Sequence, residues 1–299
     1  MTKLGEWLAW TLNRLFHPLP MHQGLQAAKS SVESNQRWAY QEAERICPQF
    51  RPYWNLDGNR VLDVGSGLGG KLPFFIRAGA QSLVGVDLNA QSVRIARRYI
   101  DSLGLAHGAD GDVTLAVSDA ASLPFRDASF DVVVSINVFE HIERIEEAVR
   151  ECHRVLRRGG LAFLHLPPYY SPWGPHLESW IHFPWPHLLF SERILMRVAA
   201  REDARLQLSQ RFVEAARIHW TSGDGRVPDV NRVTLWRFRR MVSQAGFSIV
   251  QLRLLPVGYD FLRSGFPLRR PFLWLLKTIA RIPLLQEVVV TKMVYVLQK

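Results

Sequence analysis

The chain has 299 residues, 47% of them hydrophobic, with 37 Lys+Arg against 27 Asp+Glu for a formal charge of +10. That apolar fraction excludes intrinsic disorder, and the length suits one large α/β domain with insertions or two modest domains. Two cysteines, Cys47 and Cys152, argue against a disulfide framework, and no apolar run reaches the roughly 18 residues that span a bilayer, so a cytosolic protein, free or held at a surface, is expected.

The N-terminal stretch Leu4–Phe16 reads as an amphipathic helix, with Leu4, Trp7, Leu8, Leu12 and Leu15 on one face. Its single lysine, its glutamate at Glu6 and the lack of a small-residue cleavage site make it a poor signal peptide. From Arg60 the pattern alternates. Arg60–Gly65 is a short apolar run ending in glycine, and a helical stretch follows to Ala78, with Pro73 near its start. Ser82–Asp87 is a second strand, and Asn89 is placed to cap a helix with Val93, Ala96, Ile100 and Leu103 on one face. Val113–Val117 and Phe130–Ile136 are the third and fourth strands. Ile142, Ile145, Val149, Cys152 and Val155 keep helical spacing up to Gly159 and Gly160, and Leu161–Leu166 is a fifth strand. This rhythm predicts an α/β, doubly wound, Rossmann-like parallel sheet with helices on both faces.

Beyond Leu166 the rhythm breaks. Residues 167–190 combine prolines, tyrosines and tryptophans with His176, His182 and His187, and are too aromatic for a solvated linker. Ser191–Ile218 reads as largely helical and Thr234–Ala245 as a helix closed by Gly246. Phe247–Leu255 and Val288–Leu297 are two further strands, expected to complete the sheet as an antiparallel pair. Four pieces are predicted: a helical arm at 1–58, a sheet core at 59–166, a lid insertion at 167–230, and a completion of the sheet at 231–299 around a basic, hydrophobic insert near 256–286.

The stretch Val61-Leu62-Asp63-Val64-Gly65-Ser66-Gly67-Leu68-Gly69-Gly70 carries the most chemistry. Glycines between a strand and a helix permit a tight turn and bring a ligand close to bare backbone N–H groups. Asp87, about 20 residues on, ends the second strand where a carboxylate can accept from both hydroxyls of a ribose. Taken alone, Gly65-x-Gly67-x-x-Gly70 also fits a nicotinamide dinucleotide fingerprint. Asp63 weighs against that, since a carboxylate beside the glycines repels a pyrophosphate and welcomes an ammonium group.

Ser118-Asp119-Ala120 follows the third strand, and Leu123-Pro124-Phe125 with Ser129-Phe130-Asp131 leads into the fourth. Glu140-His141 and Leu156-Arg157-Arg158-Gly159-Gly160 come next in order. With this ordered set, Asn59–Leu166 resembles the class I S-adenosylmethionine-dependent methyltransferases, especially the small-molecule branch similar to quinone-biosynthesis methyltransferases. The resemblance continues weakly through Asn231–Leu255. It implies S-adenosyl-L-methionine as cofactor and a methyl-transferring enzyme; the aromatic segment after Leu166 and the basic surface point to a small, hydrophobic or lipid-linked acceptor, methylated at oxygen or carbon. It implies that Gly65, Gly67 and Gly69 let the methionine part pass over the backbone, that Asp63 supports its amino group, directly or through water, that Asp87 holds the ribose and that Leu88 packs on the adenine. Asp119 would accept from the adenine amino group with the Ala120 N–H nearby, and Asn137 would lie by the methyl-bearing end. His141 is the candidate general base.

Tyr169, Tyr170, His176, Trp180 and His182 are the candidate acceptor-binding groups of the aromatic segment. The spacing of its three histidines matches no compact metal-binding pair, so no metal is expected. Farther on, Phe272, Trp274, Leu275, Leu276 and Ile279 interleave with Arg269, Arg270, Lys277 and Arg281, which is the composition of an interfacial helix. An anionic membrane surface is therefore a candidate partner, with the protein cytoplasmic and peripheral at the inner face of a membrane. The alternative is that both amphipathic helices pack on the domain. A nicotinamide-dependent oxidoreductase and a nucleic-acid-binding or nucleic-acid-methylating protein are the competing functions. Against nucleic acid, the cations sit among large aliphatics rather than in a clean stripe.

Overall fold

The computed structural model describes residues 2–16, 26–108, 111–207, 230–257, 269–283 and 285–299. In chain order the elements are α1 (Thr2–Leu15), α2 (Val32–Ile46), β1 (Arg60–Val64), α3 (Leu72–Arg77), β2 (Ser82–Asp87), α4 (Ala90–Ser102), β3 (His107–Gly108) and β4 (Gly111–Val117). They continue with β5 (Phe130–Ile136), α5 (Ile145–Val155), β6 (Leu156–Leu166), α6 (Glu192–Leu206), α7 (Leu235–Gln244), β7 (Ser248–Pro256), α8 (Arg269–Ile279) and β8 (Val290–Gln298), with shorter helical turns between some of them. The chain divides into two compact units. One comprises Val32–Leu166, Leu235–Arg253 and Met293–Lys299; the other comprises Met1–Ser31, Pro167–Thr234 and Leu254–Lys292.

The strands form one sheet in the order β3-β4-β2-β1-β5-β6-β8-β7. The pairs β4–β2, β2–β1, β1–β5 and β5–β6 are parallel, whereas β8 runs antiparallel to β6, with Leu161 opposite Gln298 and Leu166 opposite Met293. This is the α/β, Rossmann-like architecture expected, with the two late strands completing the sheet. Helices cover the faces of a parallel sheet, so its strands are apolar on both sides. Val61, Leu62, Val64, Leu83, Val86, Val132, Val133, Val134, Ile136, Phe163 and Leu164 are accordingly buried. Helix α5 adds Ile145, Ala148, Val149, Cys152 and Val155 to that core. Helix α7 adds Phe238, packed edge-on against Phe139 and Tyr295. Both cysteines are free and buried, and burial pushes the Cys152 thiol up to about 12.

Several boundaries move from their sequence positions. Helix α5 starts at Ile145, because Phe139–His141 form a separate 3-10 turn that leaves Ile142 extended. It stops at Val155, before Gly159 and Gly160, which instead lie inside β6 where its register against β5 slips between Phe130 and Val132. A side chain at Gly160 would come within 2.9 Å of the Arg157 and Asp131 carbonyl oxygens, so the irregularity requires glycine there. Asn89 caps α4 as expected, its side chain accepting from the N–H groups of Gln91 and Ser92. Val93, Ala96 and Ile100 turn inward, but Leu103 lies beyond the last turn and is exposed. The helix expected over Ser191–Ile218 is present as α6 up to Leu206, and residues 208–229 lie outside the described part, as do 258–268 of the basic insert.

The second unit has its own apolar clusters. Leu177, Trp180, Ile181, Phe183, Leu195, Met196 and Ala199 form one, with Leu12, Phe190, Leu206 and Val230 packed against it. Val257, Leu276 and Val289 form another with Trp185, whose indole N–H donates to the Val288 carbonyl at 2.6 Å. Each large side chain buried in this way contributes roughly 1.5–3 kcal/mol, which explains how a proline-rich stretch without periodicity is nevertheless ordered.

Candidate active site

Because β1, β2, β4 and β5 are parallel, their C-terminal ends lie along one edge of the sheet, where open α/β sheets take their ligands. At that edge β1 runs into the glycine turn. The N–H groups of Gly65 and Ser66 both donate to the Val86 carbonyl, at 2.8 and 2.9 Å, which ties the turn to β2. Gly65 has φ +80°, and a side chain there would overlap that of Val138, so the turn requires glycine on two counts. Gly69 is similarly pressed against Ala96 of α4. Gly67 differs: it too is left-handed, at φ +55°, but a Cβ there would meet nothing within 4 Å. The turn is therefore packed tightly underneath and open at Gly67.

Asp87 links this turn to β2. One carboxylate oxygen accepts from the Gly67 N–H and the other from the Asn89 N–H, each at 2.9 Å. Each oxygen keeps a further lone pair, and the side chain is only half-buried, so two hydroxyls of a ribose remain within its capacity. Beside it Leu88 is 72% exposed, an apolar surface adjoining a sugar-type carboxylate. Asp119, after β4, accepts from the Ala121 N–H at 2.8 Å and from Arg144 at 2.7 Å, and both donors hold its carboxyl below the usual range. Ala120 is half-buried next to it.

Asp63, near the end of β1, lies under the glycine turn. It is completely buried, and neither of its oxygens has a hydrogen-bond partner among the described residues. Burial holds its carboxyl above the ordinary carboxylate range, while the Lys71 ammonium, 4.0 Å away, pulls the other way. Lys71 in turn donates to the Gly65 carbonyl at 3.0 Å. Asp63 therefore stands beneath the glycine turn, next to the lysine that holds the Gly65 carbonyl. The expectation of bare amides changes, since the N–H groups of Gly65, Ser66, Gly67 and Gly69 are taken up within the protein and are not available to a pyrophosphate.

At the end of β5, Asn137 adopts φ +55°. Its backbone N–H donates to the His165 carbonyl at 2.7 Å, its side-chain amide donates to Glu42 of α2 at 3.0 Å, and its side-chain oxygen lies 3.1 Å from His165 Nδ1. Glu42 and His165 are buried, so three polar groups from three elements share one desolvated position. Sequence reasoning missed Glu42 and His165 as partners, because 95 residues separate Glu42 from Asn137 and no local pattern joins them. Lys71 and Arg144 were also missed, although Lys71 directly follows the glycines and its place there is a readable signal. His141 closes the 3-10 turn after β5 and is exposed.

The candidate acceptor groups belong to the second unit. Tyr169 is buried, hydrogen-bonded to Glu192 and packed edge-on against Tyr170 and His187. Tyr170 is exposed and stacks on His187, and His176 is half-buried with a left-handed backbone at φ +56°. Trp180 has no exposed surface: it lies in the apolar cluster as a core residue, with its indole N–H on Asp203. His182 is also buried, with its backbone N–H on Asn13.

A largely parallel sheet with a glycine turn after its first strand and a sugar-type carboxylate after its second defines a Rossmann-like nucleoside-binding protein. The methyltransferase domain family matches residues 62–164. Over 214 residues the chain is 30% identical to the ubiquinone/menaquinone biosynthesis C-methyltransferase UbiE of Dinoroseobacter shibae, covering 70% of this chain and 74% of that protein. Over 104 residues it is 36% identical to 24-methylenesterol C-methyltransferase 2 of Oryza sativa subsp. japonica, covering 35% of this chain but only 28% of the rice protein. Its fold is similar to the solved structure of an S-adenosylmethionine-dependent methyltransferase from Methanosarcina mazei, with a TM-score of 0.52 and 19% identity over 84% of this chain and 97% of that one. The chain belongs to the class I S-adenosylmethionine-dependent methyltransferase family. The residues present fit that family's cofactor: Gly67 is open, Asp87 is half-exposed and Leu88 is bare.

Proposed function

We propose that this protein transfers a methyl group from S-adenosyl-L-methionine to a small, hydrophobic or lipid-linked acceptor at carbon or oxygen. The observation that carries the reading is the half-exposed Asp87 carboxylate bonded to the Gly67 N–H, with Leu88 bare beside it. When bound, S-adenosyl-L-methionine supplies an electrophilic methyl group on a sulfonium with a good leaving group. The protein's part is then to bind, orient and exclude water, and orientation contributes on the order of 7–11 kcal/mol. Asp87 accepts the ribose hydroxyls, Leu88 covers one face of the adenine, and Asp119 with Ala120 meets its edge. Gly65, Gly67 and Gly69 shape the passage of the methionine part, and Asp63 with Lys71 keeps that turn rigid. Asn137, held by Glu42 and His165, marks the end of β5 where the methyl-bearing end belongs. His141 is the assigned base, worth roughly 10²–10⁴-fold where the acceptor must lose a proton.

Acceptor recognition is assigned to Tyr169, Tyr170 and His176 on their chemistry, aromatic surface with a few polar groups. The C-methyltransferase names of the relatives favour carbon, and the sterol and quinone classes they act on favour a lipid-like acceptor. Such acceptors partition into bilayers, so we place the protein in the cytoplasm, peripheral to the inner face of a membrane. Calorimetric titration tests the cofactor: S-adenosylmethionine is expected to bind and nicotinamide dinucleotides are not, and the reverse result overturns the reading. Asp87→Ala removes charge-assisted hydrogen bonds worth about 1.5–3 kcal/mol each, so affinity is expected to fall at least tenfold. Mass spectrometry of lipid extracts from cells with and without the protein then identifies the acceptor as a species heavier by one methylene group.

A further inference from the structure

We propose that α1 is an interfacial helix that seats this protein on an anionic lipid bilayer, a function separate from methyl transfer. Helix α1 is amphipathic, and its polar face points inward. Toward the rest of its unit, α1 buries Ala9 and Asn13. Asn13 donates to the Trp180 carbonyl at 2.9 Å and accepts from the His182 N–H at 2.7 Å. Glu6 pairs with Arg197, and the Trp10 indole donates to Glu202 at 2.9 Å under the Arg201 guanidinium, 4.1 Å from the ring centre. Gly5 lets the helix approach α6 so closely that a Cβ would stand 2.8 Å from Ile194. Hydrogen bonds, ion pairs and a glycine contact hold the helix in place, which leaves its apolar residues uncommitted.

Those residues face solvent. Leu4 is 63% exposed, Trp7 56%, Leu8 46% and Leu15 73%. At 100° per residue they fall within an arc of about 100°, a continuous apolar stripe. Only Leu12, expected on the same face, turns inward to the apolar cluster. Lys3 and Arg14 are exposed along the margin of the stripe next to Trp7, and the helix's one carboxylate, Glu6, is tied up on the opposite side. Helix α8 of the same unit repeats the pattern, with Trp274 70% exposed, Leu275 47% exposed, and the exposed cations Lys277 and Arg281 following.

Charge selects the occupant. A chain of formal charge +10 repels a second copy of itself, whereas an anionic leaflet gains about 1 kcal/mol for each Lys or Arg near its surface. Tryptophan and leucine beside cations is the chemistry of the headgroup boundary. The 14 residues of α1 extend about 21 Å, short of the ~30 Å hydrocarbon thickness, so the helix lies in the plane of the surface and does not cross it.

Vesicle flotation of the full-length protein tests this. Wild type is expected to float with vesicles of equal parts phosphatidylcholine and phosphatidylglycerol, and to stay behind with phosphatidylcholine alone. Trp7→Gln combined with Leu8→Gln is expected to weaken partitioning at least about tenfold, with an unchanged melting curve because both positions are exposed. Should that pair unfold, Leu4→Gln with Leu15→Gln gives the same readout from the two most exposed positions. Failure of wild type to float, or flotation of both variants at the wild-type level, overturns the proposal. So does sedimentation showing a wild-type dimer that these substitutions dissolve, which would mean a second copy covers the stripe.

Discussion

Helices α5 and α1 are both amphipathic, yet they are used in opposite senses. Helix α5 buries Ile145, Ala148, Val149, Cys152 and Val155 and leaves Glu146 and Arg150 on the outside. Helix α1 buries Ala9 and Asn13 and leaves leucines and a tryptophan on the outside. In the sheet unit, apolar area removed from water holds the helix. In the second unit, specific polar contacts do, and apolar area is left over. The lesson is that periodicity marks a helix and its two faces but not which face the fold consumes.

The sharpest way to break this contrast is to place the same charge on each helix. Val149→Asp buries a carboxylate at a position with 1% exposure and is expected to cost more than about 4 kcal/mol, enough to leave little folded protein. Leu8→Asp is expected to change stability by no more than about 0.5 kcal/mol. Denaturant melts of the two variants check both values, and a large loss for Leu8→Asp would mean that the outer stripe of α1 is structural after all.

A second expectation separates the units by pH. In the second unit His187 is half-buried, with Tyr169, Tyr170 and Glu192 near it and no hydrogen-bond partner for either ring nitrogen among the described residues. Burial pulls its pKa from 6.5 down to about 4, against the weaker upward pull of Glu192. The unfolded chain therefore binds the proton first. Stability is full above about pH 6.5 and is lost progressively as the pH falls toward 4, by on the order of 3 kcal/mol at 1.36 kcal/mol per pH unit. Comparing melting temperatures of wild type and His187→Phe across that window should show a slope that the variant lacks.

A smaller loss than that of Val149→Asp or of the His187 titration concerns the polar anchoring of α1. Asn13→Ala strands the buried Trp180 carbonyl and His182 N–H, and is expected to cost about 2 kcal/mol. An unchanged denaturation midpoint would show that polar contacts do not hold this helix, which removes the physical basis of the contrast.

Much of the sheet unit was legible because its signals are local. The strands Ser82–Asp87 and Phe130–Ile136 and the cap at Asn89 stand where the residues place them, since apolar runs, glycines and cap chemistry act over a few neighbours. Gly65, Gly67 and Asp87 could be singled out for the same reason. Asp63 was found by its position, but its burial against Lys71 depends on how the turn folds back over β1. The partnership of Glu42, Asn137 and His165 was beyond reach, since it is a coincidence in space of residues far apart in the chain.

By itself the sequence determined the alternation of strands and helices, the glycine turn and the carboxylate that follows it, because backbone propensity and hydrophobic period are properties of short stretches. Only the tertiary structure decided that Trp180 is core, that Asp63 is buried beside a lysine, and that α1 turns its apolar face to solvent. Those outcomes depend on which surfaces meet, and burial is a property of the packed chain as a whole.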